Sequence, residues 1–126
     1  MQQIERIYLA TPYTDPDPAI RRARFEAVTL AAGELMKRRH IVFSPITMGH
    51  PISEACADIP VEFPYWETAC LSYLTGWATR LVALTLDGWQ ASRGVTAEIA
   101  AARERGLPVE YLSPTSITGS LGARHG

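Results

Sequence analysis

The chain has 126 residues, a formal net charge of −1 and 47 % hydrophobic residues, enough for one domain with a real core and little room for a second. No basic stripe runs along any segment, which argues against a protein that holds nucleic acid by neutralising phosphates and favours a small-molecule ligand. Cys56 and Cys70 form no Cys-x-x-Cys pair, and His40, His50 and His125 show no metal-ligand spacing, so no metal, cofactor or disulfide framework is expected.

Met1-Gln-Gln-Ile-Glu-Arg6 leads into a strand without the apolar region of a signal peptide, and no apolar run approaches the length of a bilayer. A cytoplasmic protein with no membrane partner is expected. Ile4 to Ala10 reads as a short central strand that stops at Thr11-Pro12. Asp17 can cap the next helix with Pro18 at its first position, and Ile20, Ala23, Ala27, Ala31 and Leu35 follow at helical spacing to about Arg38. His40 to Pro45 is a second strand, and Ile46 to Pro60, rich in Pro, Gly and Ser, reads as a long loop. Val61 to Ala78 is aromatic-rich and helical after Pro64. Arg80 to Leu86 is a near-continuous apolar run of the kind buried on both faces of a parallel sheet. A helix after Ser92 ends at Gly106, and Leu107 to Leu112 gives a fourth strand, its proline favouring an edge. Residues 1–112 are therefore read as the domain and residues 113–126, without periodicity, as a loosely held tail.

Alternating strands and helices imply an α/β fold: a three-layer, doubly wound parallel sheet, flavodoxin-like or Rossmann-like, with expected strand order 2-1-3-4. Ligands of such sheets sit beyond the carboxyl ends of the strands where the order reverses, which here brings Tyr8 to Tyr13 beside Asp87 to Glu98.

Glu98 is the candidate reacting residue. Val95, Ile99 and Ala102 border it on the sheet-facing stripe of its helix, so its carboxylate belongs at the edge of the buried face. The helix start favours the ionised form and burial opposes it, so its pKa is expected to be set by that competition. An ionised carboxylate with no lysine partner can attack a sugar carbon that develops positive charge. Tyr8 is either a core aromatic or the group whose hydroxyl orients Glu98. Ser92-Arg93-Gly94 opens the helix and suits an anion such as a phosphate, although Ser92 can equally serve as an N-cap alone and Arg93 as a solvated charge. Gly94 permits a tight turn or a close backbone approach. Thr11, Tyr13, Ser44, His50 and Asp87 fall near strand ends and are candidate ligand contacts. Arg21, Arg22 and Arg24 read as a solvated helix face, with Arg21 near enough to the helix start to lean toward an anion. Phe63, Tyr65, Trp66, Tyr73 and Trp77 read as core or subunit interface, and secondarily as a platform for a base.

With these residues in place, the chain resembles the nucleoside 2-deoxyribosyltransferase-like superfamily over Ile7 to Leu112, and within it a small bacterial branch similar to the 2′-deoxynucleoside 5′-phosphate N-hydrolases. The motifs are Ile7 to Tyr13, His40 to Pro45 and, most specifically, Asp87-Gly-Trp-Gln-Ala-Ser-Arg-Gly-Val-Thr-Ala-Glu98. The resemblance implies that Glu98 attacks the anomeric carbon and displaces the base, that Tyr8 positions Glu98, and that water or a second base resolves the glycosyl-enzyme. It implies a serine at the position of Ser92 for 5′-monophosphates, where an acidic residue serves free nucleosides, and a phosphate-contacting hydroxyl at Thr11. It also implies a pocket completed by a neighbouring subunit, hence a homodimer or larger. The chain departs from the pattern at Ala69-Cys-Leu-Ser72, where the superfamily carries an aspartate near the leaving base. Either Asp87 takes that role or departure of the base is weakened. The expected function is an N-glycosidase for a (deoxy)nucleoside 5′-monophosphate, with a deoxyribosyltransferase and a non-catalytic nucleotide sensor as alternatives. A phosphoribohydrolase is disfavoured because its Gly-Gly-x-Gly-Thr loop is absent.

Overall fold

Four strands, β1 (Arg6–Ala10), β2 (Ile41–Phe43), β3 (Arg80–Leu84) and β4 (Val109–Leu112), pair in parallel in the order β2-β1-β3-β4, the order expected from the alternation of elements. Tyr8 lies opposite Phe43 in one neighbour and Leu81 in the other, so β1 and β3 form the middle of the sheet. The structure is a computed structural model that describes residues 4–60 and 63–116. The expected tail therefore lies largely outside the described residues.

Helices cover both faces, α1 (Pro18–Lys37) and α2 (Pro45–Ala55) on one side and α3 (Phe63–Gly76) and α4 (Arg93–Glu104) on the other. The period-two alternation of the strands divides the core accordingly. Ile7, Leu9, Val82 and Leu84 pack against Val28, Ala31, Ala32 and Leu35 of α1. Tyr8, Ala10, Leu81 and Ala83 pack against Cys70 and Leu74 of α3 and Val95, Ile99 and Ala102 of α4.

Asp17 caps α1 as expected, its carboxylate accepting the Ala19 N–H at 2.9 Å with Pro18 in the first helical position. The buried stripe of α1 begins later than expected, since Ile20 and Ala23 are exposed. A 20-residue helix is about 30 Å long and a five-residue strand about 17 Å, so the first turns overhang the sheet. The expected loop over Ile46 to Pro60 is corrected: its first two thirds are α2, capped by the Ser44 hydroxyl, which accepts the Thr47 N–H at 3.1 Å. Ser44-Pro45 is the same cap-and-proline start as Asp17-Pro18, masked by Gly49 and by Pro51 inside the helix. Among the described residues no helix is long and apolar enough to cross a membrane.

Candidate active site

A cavity of about 500 Å³ opens at the carboxyl ends of β1 and β3, where the strand order reverses. Thr11 to Thr14 after β1, the start of α2, the first turns of α3 and the start of α4 line it. Glu98 lies on its wall, 4 % exposed, and the Tyr8 hydroxyl donates a hydrogen bond to its Oε2. Tyr8 is fully buried at mid-strand, not at the strand end. Glu98 sits six residues past the cap of α4, where the helix lies back over the sheet, and so meets it.

Of the two influences expected at Glu98, burial dominates, and the counterforce found is the Tyr8 hydroxyl rather than the helix start. Burial pushes its carboxyl up to about 8, and the Tyr8 hydrogen bond pulls in the opposite direction. Burial likewise drives the Tyr8 hydroxyl far above its ordinary value, reinforced by the nearby carboxylate. Tyr8 therefore stays a proton-bearing donor that holds one Glu98 oxygen. Cys70 borders the same pair, its thiol raised to about 11 by burial and by Glu98 and in contact with the Tyr8 hydroxyl.

The α4 terminus forms a second wall. Ser92 caps it, its hydroxyl accepting the Val95 N–H at 3.2 Å. A hydroxyl that accepts one bond still has its proton to donate. The Arg93 and Gly94 amides, in the first two helical positions, have no acceptor within the helix, and both residues line the cavity. Thr11 Oγ1 is buried there without a hydrogen-bond partner among the described residues. An orphaned hydroxyl and free helix-terminal amides lining one cavity are suited to an anion. Gly94 is not at a turn: a Cβ on it would lie 3.0 Å from the Phe63 ring, so the missing side chain lets α3 close against α4.

The remaining candidates separate clearly. Tyr13 and His50 line the cavity and touch, Tyr13 Oη lying 2.6 Å from His50 Nδ1. Burial raises the Tyr13 hydroxyl against the opposing pull of Arg21. Ser44 does not line the cavity, because its side chain is spent on capping α2. Asp87 is exposed and also outside the lining, with only its carbonyl engaged, by Arg24 Nη2 at 3.2 Å. Cys70, from the Ala69 to Ser72 stretch, does line the cavity.

Arg24, read from sequence as part of a solvated face, is a structural clamp. Its Nη1 also reaches the Tyr13 and Thr14 carbonyls at 3.3 and 3.2 Å, tying the loop after β1 to the loop after β3. No periodicity announces this, since the partners are backbone oxygens. Trp66 lines the cavity against Gly49, where a Cβ would be 3.7 Å from the indole. Among the described residues no cluster of His, Cys, Asp and Glu is gathered to hold a metal ion.

A family model described as "Domain of unknown function (DUF1937)" matches residues 5–113. Comparison with curated proteins finds no match.

Proposed function

The chain belongs to the DUF1937 family, and we propose that it cleaves the base–sugar bond of a (deoxy)nucleoside 5′-monophosphate through a glycosyl-enzyme on Glu98. The observation that carries this reading is the pair formed by a buried carboxyl on the cavity wall and a tyrosine hydroxyl donating to it. A structural carboxyl in a core would be neutralised by a cation. This one faces a cavity and is held by a neutral donor, which fixes one oxygen and leaves the other for chemistry.

The neighbouring wall supports the proposed substrate class. With the phosphate at the Arg93 and Gly94 amides and the Ser92 and Thr11 hydroxyls, the sugar spans the short distance along α4 to Glu98. The base then faces α2 and α3, where Gly49, His50, Pro64 and Trp66 line the cavity. As the glycosidic bond stretches, positive charge grows at the anomeric carbon and the low-dielectric carboxylate stabilises it strongly. Water completes hydrolysis, and a second base in place of water would make the same site a deoxyribosyltransferase. We further propose a homo-oligomer located in the cytoplasm.

A nucleotide sensor is the second reading, favoured by one observation: burial leaves the Glu98 carboxyl largely protonated at neutral pH. Incubation with a panel of nucleoside 5′-monophosphates and the matching nucleosides, with free base followed by chromatography, separates the readings. Base release from monophosphates that is lost in Glu98→Gln supports the glycosidase. Binding without release supports the sensor, and release only in the presence of an added acceptor base supports the transferase.

A further inference from the structure

Breaking a glycosidic bond leaves a base that departs poorly as an anion, and a positioned acid is ordinarily worth about 10²- to 10⁴-fold. Among the described residues lining the cavity the one carboxyl is Glu98, already assigned to the attack. The Cys70 thiol is a weak donor engaged with Tyr8. On the wall left for the base, however, Tyr13 Oη lies 2.6 Å from His50 Nδ1, and His50 Nε2 lies 3.3 Å from Glu54 Oε2. That second contact is a charge contact and not a hydrogen bond, so the Nε2 position, buried in the wall, has no hydrogen-bond partner among the described residues. Phe25 of α1 stacks on the imidazole at 4.3 Å and the Tyr13 ring meets it edge-on, fixing its plane. The charges around the group are Arg22, 3.5 Å from Glu54, and Arg21 beside the Tyr13 hydroxyl.

Resting on the glycosidase reading, we propose that His50 and Tyr13 form a proton relay beside the Glu54 carboxylate, with Tyr13 the group that protonates the departing base. His50 enters the cycle as the imidazolium facing the Glu54 carboxylate. Its Nδ1–H donates to Tyr13 Oη, which turns the Tyr13 O–H toward the cavity. When the bond from the anomeric carbon to nitrogen breaks, its electron pair passes to the base. The Tyr13 proton goes to the base, and the Nδ1 proton moves to Tyr13 Oη, leaving neutral His50. In the second half, water attacks the anomeric carbon and the electron pair of the ester bond returns to Glu98. One water proton goes to Tyr13, whose own proton returns to Nδ1, so the cycle closes. A tyrosine held by histidine thus supplies the acid that the Ala69 to Ser72 stretch lacks.

The test compares two leaving groups. Wild type, Tyr13→Phe, His50→Gln and Cys70→Ala are assayed on a deoxynucleoside 5′-monophosphate and on 4-nitrophenyl 2-deoxyribose 5-phosphate, whose leaving group departs as a stable anion. Tyr13→Phe and His50→Gln are each expected to lose about 10²-fold or more in kcat on the nucleotide and less than about tenfold on the aryl substrate. Cys70→Ala is expected to change both by the same factor. Equal losses in Tyr13→Phe and His50→Gln, with cleavage still dependent on Glu98, overturn the relay alone. A leaving-group-dependent loss in Cys70→Ala also overturns it. Failure of the wild type to cleave either substrate removes the glycosidase reading and the relay with it. Should Tyr13→Phe not fold, His50→Gln carries the same comparison.

Discussion

Among single residues, the proton on Glu98 governs the proposed chemistry. Because burial raises its pKa to about 8, the ionised form that the proposed attack needs is scarce at neutral pH. On 4-nitrophenyl 2-deoxyribose 5-phosphate, whose leaving group needs no acid, we expect kcat/KM to rise with pH and level off above about 8. Were Glu98 a proton donor instead, the profile would fall over the same range. The same shift has a consequence for stability. The unfolded chain loses this proton near 4.5 and the folded one near 8, so stability drains as pH rises between these values and the full cost applies above them. Glu98→Gln removes that cost, and its melting temperature relative to wild type should climb from about pH 5 to about pH 9. A constant difference across the range would show that the carboxyl titrates normally. Glu98 and Tyr8 were legible as a pair because helix and strand periods place them on facing stripes. The outcome of the pKa competition was not, because it depends on how completely the cavity wall excludes water.

At the scale of elements, the proposed substrate class rests on the start of α4. Ser92→Asp keeps a good N-cap but places a negative charge where a phosphate would sit. Its KM for a nucleoside 5′-monophosphate should rise about tenfold or more, with the melting temperature nearly unchanged and the free nucleoside gaining in relative rate. An unaltered preference would place the phosphate elsewhere. Gly94→Ala drives a methyl group to 3.0 Å from Phe63. It should lower unfolding stability by about 1 kcal/mol, measured by urea denaturation, despite alanine's better helix propensity. A stabilised variant would mean that α3 can yield at no cost. Helix starts marked by an acidic or hydroxyl cap and a proline were the most readable features, and Asp17-Pro18 was read correctly. Ser44-Pro45 carries the same signal, but Phe43 before it and Gly49 and Pro51 after it suggested a strand running into a loop. Its position at a strand end makes Ser44 look like a ligand contact in the sequence, whereas in the structure it is a cap. Asp87 was placed correctly next to a strand end, yet strand order alone does not say which way a loop side chain turns.

At the scale of the whole molecule, the sheet order makes the site possible. Placing β1 next to β3 brings the loops after both strands to one mouth, and helices on opposite faces leave a gap between them. That arrangement was legible because apolar strand runs alternate with capped amphipathic helices, and right-handed crossovers leave few ways to connect them. The tying of the two loops by Arg24 was not legible, since a guanidinium bound to three carbonyls leaves no pattern in the sequence. The central claim, a sugar carried on Glu98, is tested most directly by mass spectrometry of the intact protein quenched during turnover of a 2′-fluorinated deoxynucleoside 5′-monophosphate, a slow substrate that lets the ester accumulate. The account predicts a single adduct with the mass of the sugar phosphate, mapped by peptide sequencing to Glu98 and lost in Glu98→Gln. Base release without any adduct, or an adduct that survives in Glu98→Gln, would contradict it.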